Sequence, residues 1–198
     1  MRILVVGATG TIGRAVVAAL SAGNEIISAS LRNAQIKVDI ADPTSIRQMY
    51  RPLGKLNAVV CAAGQAKFAQ LDQLSDADFR FCLDNKLMGQ VNIVRFGFEH
   101  MDDGGSFTLT TGILAQAPIP GSAAISLVNA GLEGFVRAAA LEAPRSIRVN
   151  AVSPPWVTET LRALKMDTFQ GLPAAVVARA YVRSVSGTDT GSTLQPSS

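Results

Sequence analysis

The chain has 198 residues, of which 48% are hydrophobic and 17% charged, and its formal net charge is +3. This length suits one domain with a sheet buried on both faces, so we expect a single domain over residues 1–198. The scattered Lys and Arg residues predict no nucleic-acid partner. The absence of an apolar run of about 18 residues predicts no membrane span.

Other bulk features concern location and assembly. The first predicted strand begins at Arg2, which leaves no room for a signal peptide and predicts a cytoplasmic protein. Cys61 and Cys82 have no metal-ligand or Cys-x-x-Cys spacing, so we expect both to be reduced core residues. The low charge content predicts that another subunit covers part of the surface.

The first motif along the chain is a glycine-rich stretch, Gly7 to Gly13. It lies between the apolar run at 3–6 and a helical pattern at about 11–22, where a buried strand turns into a helix. Glycine lets the backbone approach a pyrophosphate closely, and a helix N-terminus favours negative charge. The spacing Gly-x-x-Gly-x-x-Gly departs from Gly-x-Gly-x-x-Gly, so taken alone it also fits a tight turn that binds nothing.

Strand and helix patterns alternate along the rest of the chain. The third strand follows the second after only a few residues, too few for a crossover helix, so this edge of the sheet is expected to be reduced. The alternation predicts an α/β fold, a doubly wound parallel sheet with helices on both faces and ligands at the carboxyl ends of its strands. The predicted strands are 25–30, 36–40, 57–64, 106–110, 147–152 and 193–195, and the predicted helices are 42–54, 75–100, 121–143 and 174–185.

Four motifs in order resemble those of the short-chain dehydrogenase/reductase family. They are the stretch Gly7 to Gly13, Val38-Asp39-Ile40, Ala62-Ala63-Gly64 and Asn150-Ala151-Val152-Ser153-Pro154. The resemblance covers nearly the whole chain. It implies a Rossmann fold that binds NAD or NADP, and a homodimer or homotetramer built through the helices at 75–100 and 121–143.

The resemblance also implies roles for particular residues. Asp39 would accept a hydrogen bond from the adenine amino group and Ile40 would pack on the ring, although a solvated strand end also explains Asp39. Ala62-Ala63-Gly64 corresponds to the family's Asn-Ala-Gly at the ribose, or to a simple tight turn. The residues assigned to the dinucleotide are Gly7, Thr9, Gly10, Thr11, Ile12, Gly13, Ser30, Leu31, Arg32, Asp39, Ile40, Ala62, Ala63, Gly64 and Pro154.

The choice between NADP and NAD depends on the end of the second strand. There the chain reads Ser30-Leu31-Arg32, without the acid that binds the ribose hydroxyl in NAD enzymes. Ser30 can donate a hydrogen bond and Arg32 can pair with a phosphate in a bidentate manner. We therefore predict a preference for NADP, unless Arg32 simply points into water.

The family's Tyr-x-x-x-Lys pair is absent from this chain. Alignment of the helix at 121–143 puts Ile125 at the Tyr position and Asn129 at the Lys position, so the usual proton donor is missing. The family's Ser falls on Thr111. Its Asn falls on Lys86, although a slip of one residue would restore Asn85.

Lys86 has two interpretations, and the first makes the catalytic candidates Thr111, Lys86 and Asn129. In that hypothesis Lys86 reaches into the nicotinamide pocket and partly restores the missing positive charge. In the second, which we prefer from the sequence, it is an exposed lysine on a long helix. Tyr50 and Tyr181 are expected to lie away from the nicotinamide, and His100 to be a cation at a helix end.

Two further departures affect the loop after Pro154. Pro155 replaces the family's usual Gly, and Glu159 stands at the expected Thr position between Thr158 and Thr160. Two functions remain open: an NADP(H)-dependent oxidoreductase acting on an unidentified small carbonyl or alcohol with an unusual proton donor, or a dinucleotide-binding pseudoenzyme acting as a cofactor sensor or interaction subunit.

Overall fold

Seven parallel strands form one sheet in the order β3-β2-β1-β4-β5-β6-β7. The computed structural model describes residues 1–169 and 171–197. The strands are β1 (Arg2–Val6), β2 (Glu25–Ser30), β3 (Ile36–Lys37), β4 (Leu56–Cys61), β5 (Met101–Thr110), β6 (Arg148–Val152) and β7 (Thr193–Leu194).

Helices cover both faces of this sheet. They are α1 (Thr11–Leu20), α2 (Pro43–Tyr50), α3 (Asp76–Cys82), α4 (Gly89–Gly97), α5 (Ala123–Glu142), α6 (Thr158–Ala163) and α7 (Ala174–Ser186). One core lies beneath α1 and α7, where Ile3 and Val5 meet Val16 and Tyr181. The other lies beneath α2, α4 and α5. Alternate residues of β1 enter the two cores, as expected for a strand buried on both faces.

The predicted fold class is confirmed: the described chain is a single α/β domain with a Rossmann-like doubly wound sheet. From β1 the chain proceeds outward through β2 and β3, then crosses to β4 on the other side of β1. Such a reversal opens a crevice at the carboxyl ends of the central strands, where ligands of α/β sheets bind. The fold therefore directs the search for a site to the ends of β1 and β4.

Several predicted boundaries were wrong, each for a local reason. β3 ends at Lys37 because Asp39 turns the chain, its carboxylate accepting a hydrogen bond from the Ala41 amide. β5 begins at Met101 rather than 106, with a register shift in its pairing with β4. α1 ends at Leu20 and α2 at Tyr50, both earlier than predicted. The predicted helix 75–100 is interrupted by a π-helical segment, Leu83–Met88.

One helix, α5, is long and apolar enough to cross a membrane by length and composition alone. Its Ala124, Val128, Leu132 and Val136 are fully buried, and the last two pack in the sheet core, so α5 is a core helix of the domain. The two cysteines are free and buried, as predicted. The cytoplasmic location stays a prediction.

Candidate functional site

The first cavity, of about 290 Å³, opens at the carboxyl ends of β1, β2 and β4. It brings together ten of the residues predicted to bind a dinucleotide, along with neighbours that the prediction missed, among them Gln65 and Asn85. The predicted residues that line it are Gly7, Thr9, Gly10, Ser30, Leu31, Asp39, Ile40, Ala62, Ala63 and Gly64.

The glycines of the first turn have different structural roles. Gly7 has φ +83° and a Cβ there would lie 2.8 Å from the backbone of Ala62, while a Cβ on Gly13 would lie 1.9 Å from the Gly7 oxygen. Gly13 and Thr11 do not line the cavity, so Gly13 serves the packing of α1 against the turn. A Cβ on Gly10 would meet only the Gly7 oxygen, at 3.3 Å, and Gly10 lines the cavity. No side chain caps α1, so its first amides remain available to an anion.

The cavity rim at the end of β2 is a small hydroxyl cluster beside two arginines. The hydroxyl oxygens of Thr9 and Ser30 lie 2.8 Å apart, and Arg14 donates a hydrogen bond to the Thr9 carbonyl at 2.8 Å. Arg32 is exposed and does not line the cavity, although its carbonyl accepts a hydrogen bond from the Thr9 hydroxyl. Contact between the Arg32 side chain and a phosphate stays a prediction.

Asp39 and Ile40 form the far wall of the first cavity. The Asp39 amide donates to the Ser45 hydroxyl at 3.0 Å, and its carboxylate accepts from Ala41, so the turn is held from both sides. Ile40 is buried, and a Cβ on Gly89 would lie 2.9 Å from its backbone oxygen. The turn is thereby fixed next to α4, with the Asp39 carboxylate exposed.

A second cavity, of about 270 Å³, adjoins the first and shares Ala62, Ala63 and Gly64 with it. It is lined by all three catalytic candidates, by Ile125 at the family's Tyr position, and by two more of the residues predicted to bind the dinucleotide. They are Lys86, Thr111, Ile125, Asn129, Ile12 and Pro154. Most of the remaining wall is apolar.

Lys86 belongs to this second cavity, so the interpretation as an exposed lysine was wrong. It lies in the π-helical segment, an irregularity common at functional sites, and its Nζ donates a hydrogen bond to the Thr111 carbonyl at 3.3 Å. Burial lowers the pKa of Lys86 from its usual 10.5 to about 8. Nearby Cys61 opposes this shift weakly, since burial raises the pKa of that thiol to about 12 and keeps it neutral.

Asn85 does not take the place of Lys86. Its side-chain oxygen accepts a hydrogen bond from the Gln65 amide at 2.7 Å, and its side chain lines the first cavity alone. Of the two residues, only Lys86 lines the second cavity, and its alignment with the family's Asn stays a prediction.

Thr111 and Asn129 are held together at the base of the second cavity. The Thr111 hydroxyl lies 3.0 Å from the Asn129 carbonyl and 3.3 Å from a carboxylate oxygen of Glu133. It has one hydrogen, so it donates to one of these acceptors. The Asn129 amide nitrogen donates to the Gly112 carbonyl at 3.4 Å, and its side-chain oxygen is buried without a partner among the described residues.

The two tyrosines differ in their distance from the site. Tyr50 is remote, as predicted, and donates a hydrogen bond to the Ile93 carbonyl. Tyr181 lines neither cavity, and its buried hydroxyl lies 2.7 Å from the hydroxyl of Thr110, which lines the second cavity. Burial raises the pKa of Tyr181, so this phenol is a poor proton donor.

The loop after β6 forms the outer wall. Pro154, Pro155, Trp156 and Thr160 line the second cavity, whereas the Glu159 carboxylate accepts a hydrogen bond from the Ala174 amide at 2.9 Å, at the start of α7. Glu159 therefore stabilises a helix N-terminus and takes no part in lining the cavity.

Sequence reasoning also missed Gln90 and Glu133. Gln90 exchanges two 2.8 Å hydrogen bonds with the backbone of Thr110 and fixes the end of β5, while the Glu133 carboxylate accepts from Gln116 and lies 3.3 Å from the Thr111 hydroxyl. Helical spacing could have identified both residues. Gln90 lies four residues after Lys86 and Glu133 four residues after Asn129, so each shares a helix face with a catalytic candidate.

Comparisons with known proteins agree with this geometry. Residues 10–193 match the protein-family model described as enoyl-(acyl carrier protein) reductase. The hydroxynaphthalene reductase arp2 of Aspergillus fumigatus is 31% identical over 113 residues, which are 57% of this chain and 41% of that protein. The chain spans about half the length of the curated relatives that it matches first.

Solved structures extend the likeness to the whole chain. The protein lin1944 from Listeria innocua is 41% identical, with a TM-score of 0.95 and 98% of both chains covered. A small-chain dehydrogenase in complex with NADPH is 23% identical, with a TM-score of 0.87 over 98% of this chain and 95% of its own, which is a likeness of fold. With its sheet order, its two adjoining cavities and this family match, the chain belongs to the short-chain dehydrogenase/reductase family of oxidoreductases.

Proposed function

We propose that this chain is an NADP(H)-dependent oxidoreductase that reduces a small carbonyl compound or oxidises the corresponding alcohol. The observation that carries the proposal is the pair of adjoining cavities. One has a glycine turn and an open helix N-terminus, and the other has the ammonium group of Lys86 in a largely apolar wall.

The residues of the first cavity fit a dinucleotide. The backbone at Gly10 leaves room that a side chain would fill, and the α1 amides suit a pyrophosphate. Asp39 and Ile40 are suited to the adenine, Ser30, Leu31 and Arg32 to the ribose phosphate, and Ala62 to Gly64 to the second ribose. When bound, the nicotinamide supplies a hydride to the carbonyl carbon. Family membership supports a nicotinamide dinucleotide, and the NADPH complex of a structural neighbour supports NADP.

In this proposal Lys86 is the proton donor. As the carbonyl carbon gains its hydride, the N–H bond of the Lys86 ammonium breaks and an O–H bond forms at the substrate oxygen, leaving a neutral amine that takes its next proton from water. A pKa of about 8 suits an acid working near neutral pH. Thr111 already donates within the protein and Ile125 has no proton to give, so neither replaces the family's Tyr.

Asn129 and Thr111 act as positioning residues in the same proposal. Thr111 links β5 to α5 through the Asn129 carbonyl, and its own carbonyl accepts from Lys86. The amine therefore has a fixed partner that can tether it until a substrate oxygen competes for the proton.

A second function is dinucleotide binding without turnover, as in a cofactor sensor or interaction subunit. Ile125 at the Tyr position and the engaged hydroxyl of Thr111 favour it. The test titrates NADPH by fluorescence and then follows its oxidation with a panel of aldehydes and ketones. We expect binding and turnover in the unaltered chain. Binding without turnover, together with turnover gained by Ile125→Tyr/Asn129→Lys, would establish the second function instead.

The preference for NADP predicts a lower dissociation constant for NADPH than for NADH. Replacement of Arg32 by Ala should raise the dissociation constant of NADPH about tenfold and leave that of NADH unchanged, because a charge-assisted contact with the extra phosphate is lost. Arg51→Ala, an exposed arginine away from the cavity, is the control. Tighter binding of NADH by the unaltered chain would contradict the prediction.

We also propose a homodimer or homotetramer through the helical stretches 75–100 and 121–143. Large apolar side chains on these stretches are exposed in the isolated chain, namely Phe81, Met88, Leu127 and Leu141. Sedimentation at a single chain mass would contradict this proposal.

A further inference from the structure

A third cavity, of about 290 Å³, lies beyond the second one and shares Trp156 with it. Its walls come from two loops: Ile119 follows β5, while Leu161, Met166 and Phe169 belong to α6 and the turn after it. Trp156 thus stands at the junction between the proposed reaction chamber and an outer cleft.

Most of the residues that line the outer cleft are apolar. The exposed fractions of Ile119, Met166 and Phe169 are 42%, 49% and 91%, so three large apolar side chains face water around one cavity. Asp167 is the only ionisable residue among the described residues that line it, and its carboxylate accepts a hydrogen bond from the Phe169 amide. The cleft suits an apolar group and disfavours a negatively charged one.

The junction itself is held in place. The Trp156 carbonyl accepts a hydrogen bond from the Leu172 amide at 2.9 Å, and the Leu172 carbonyl accepts from Thr158 at 2.9 Å. Pro154 and Pro155 precede Trp156 and restrict its backbone. The indole is therefore attached to a fixed base while the outer loop extends beyond it.

We infer that the substrate is a neutral aldehyde or ketone with an apolar tail, its carbonyl beside Lys86 and its tail passing Trp156 into the outer cleft. This inference rests on the proposed reductase function and adds the substrate class. The occupant follows from the adjacency of the two cavities, which have Trp156 as a common wall, from the apolar lining, and from the single carboxylate, which repels an anionic tail.

The test uses the straight-chain methyl ketones from 2-butanone to 2-decanone. Each methylene that enters the cleft should raise kcat/KM by about two- to fourfold until the cleft is full, as expected for buried apolar area. Keto acids of matched length should be at least tenfold poorer. A parallel binding measurement follows the emission of Trp156, the only tryptophan, with NADP⁺ present so that no turnover occurs.

Two variants address the cleft and one serves as control. Ile119→Ala and Met166→Ala should flatten the dependence on chain length, while Leu71→Ala, at an exposed residue that lines none of the three cavities, should leave it unchanged. Turnover with no dependence on chain length would contradict binding of the substrate's tail in the outer cleft, and it would leave the proposed reductase function standing. Ketone binding that strengthens with chain length, without turnover, would support the cleft and overturn the reductase.

Discussion

Replacement of Lys86 by Met should lower kcat for carbonyl reduction by about 10²- to 10⁴-fold, the range typical of a removed general acid. The dissociation constant of NADPH should change by less than about threefold, because Lys86 does not line the first cavity, where the adenine and the pyrophosphate are proposed to bind. Steady-state kinetics with the best substrate of the panel, together with a fluorescence titration of NADPH, measures both quantities.

The pH profile of the unaltered chain should identify the same group. The ammonium form of Lys86 is the acid, so the reduction rate should be constant below pH 8 and fall as pH rises through its pKa of about 8. Alcohol oxidation needs the neutral amine and should rise over the same range. Lys86→Arg keeps the charge but holds its proton, so it should bind NADPH and show a low rate without this fall.

Loss of activity should be accompanied by a gain in stability. The folded pKa of about 8 lies below the usual 10.5, so proton binding opposes folding, fully below pH 8 and not at all above about 10.5. At pH 7, Lys86→Met should raise the free energy of unfolding by about 1–3 kcal/mol. Denaturant unfolding at pH 7 and pH 10 measures it, and the gain should shrink at the higher pH.

Lys67→Met is the matched control, since Lys67 is exposed and only weakly paired with Asp78 at 3.9 Å. It should change neither stability nor kcat appreciably. An active Lys86→Met variant would refute the assignment of the proton donor, and a marked loss of stability in it would show that the lysine has a structural task instead.

Replacement of Gly13 by Ala should destabilise the fold by about 3 kcal/mol or more, because the new Cβ would lie 1.9 Å from the Gly7 carbonyl oxygen and 2.7 Å from its carbon. Both atoms are backbone atoms in a tight turn, so they have little room to shift. Chemical denaturation followed by circular dichroism measures the loss.

Gly10→Ala separates binding from folding at the same turn. Its φ of −76° is ordinary for alanine and its Cβ would lie 3.3 Å from the Gly7 oxygen, a close contact far milder than the one at Gly13, so stability should change by no more than about 1 kcal/mol. The dissociation constant of NADPH should nevertheless rise at least about tenfold, because Gly10 lines the proposed pyrophosphate site. An unchanged affinity would argue against a dinucleotide in the first cavity.

A helical glycine provides the comparison for both variants. Gly134 lies in α5 with only the Arg137 side chain within 4 Å, so Gly134→Ala should raise stability by about 0.5–1 kcal/mol. If Gly134→Ala were destabilising instead, replacement of a helical glycine would lower stability without any clash. The loss of stability in Gly13→Ala could then not be assigned to the clash with Gly7.

Much of the architecture follows from local rules that the sequence displays. Buried strands appear as apolar runs, glycines mark the turn into α1, and Asp42-Pro43 starts α2 with a capping carboxylate. These features depend on neighbours within a few residues, so alternation alone predicted the sheet class and the place of the first cavity. Hydrogen bonds between distant segments are not visible in such patterns, so the start of β5 was predicted wrongly and the contact between Tyr181 and Thr110 was not foreseen.

The sequence by itself determined the order of strands and helices and the glycine turn with its small-residue partners, and it predicts that Ile125 and Asn129 stand at the family's Tyr and Lys positions. Only the tertiary structure decided that Lys86 lines the second cavity while Asn85 faces the first. The reason is the π-helical segment, Leu83–Met88. A π-helix adds a residue to the turn and rotates the following side chains, and this change of phase determines which residue meets the Thr111 carbonyl.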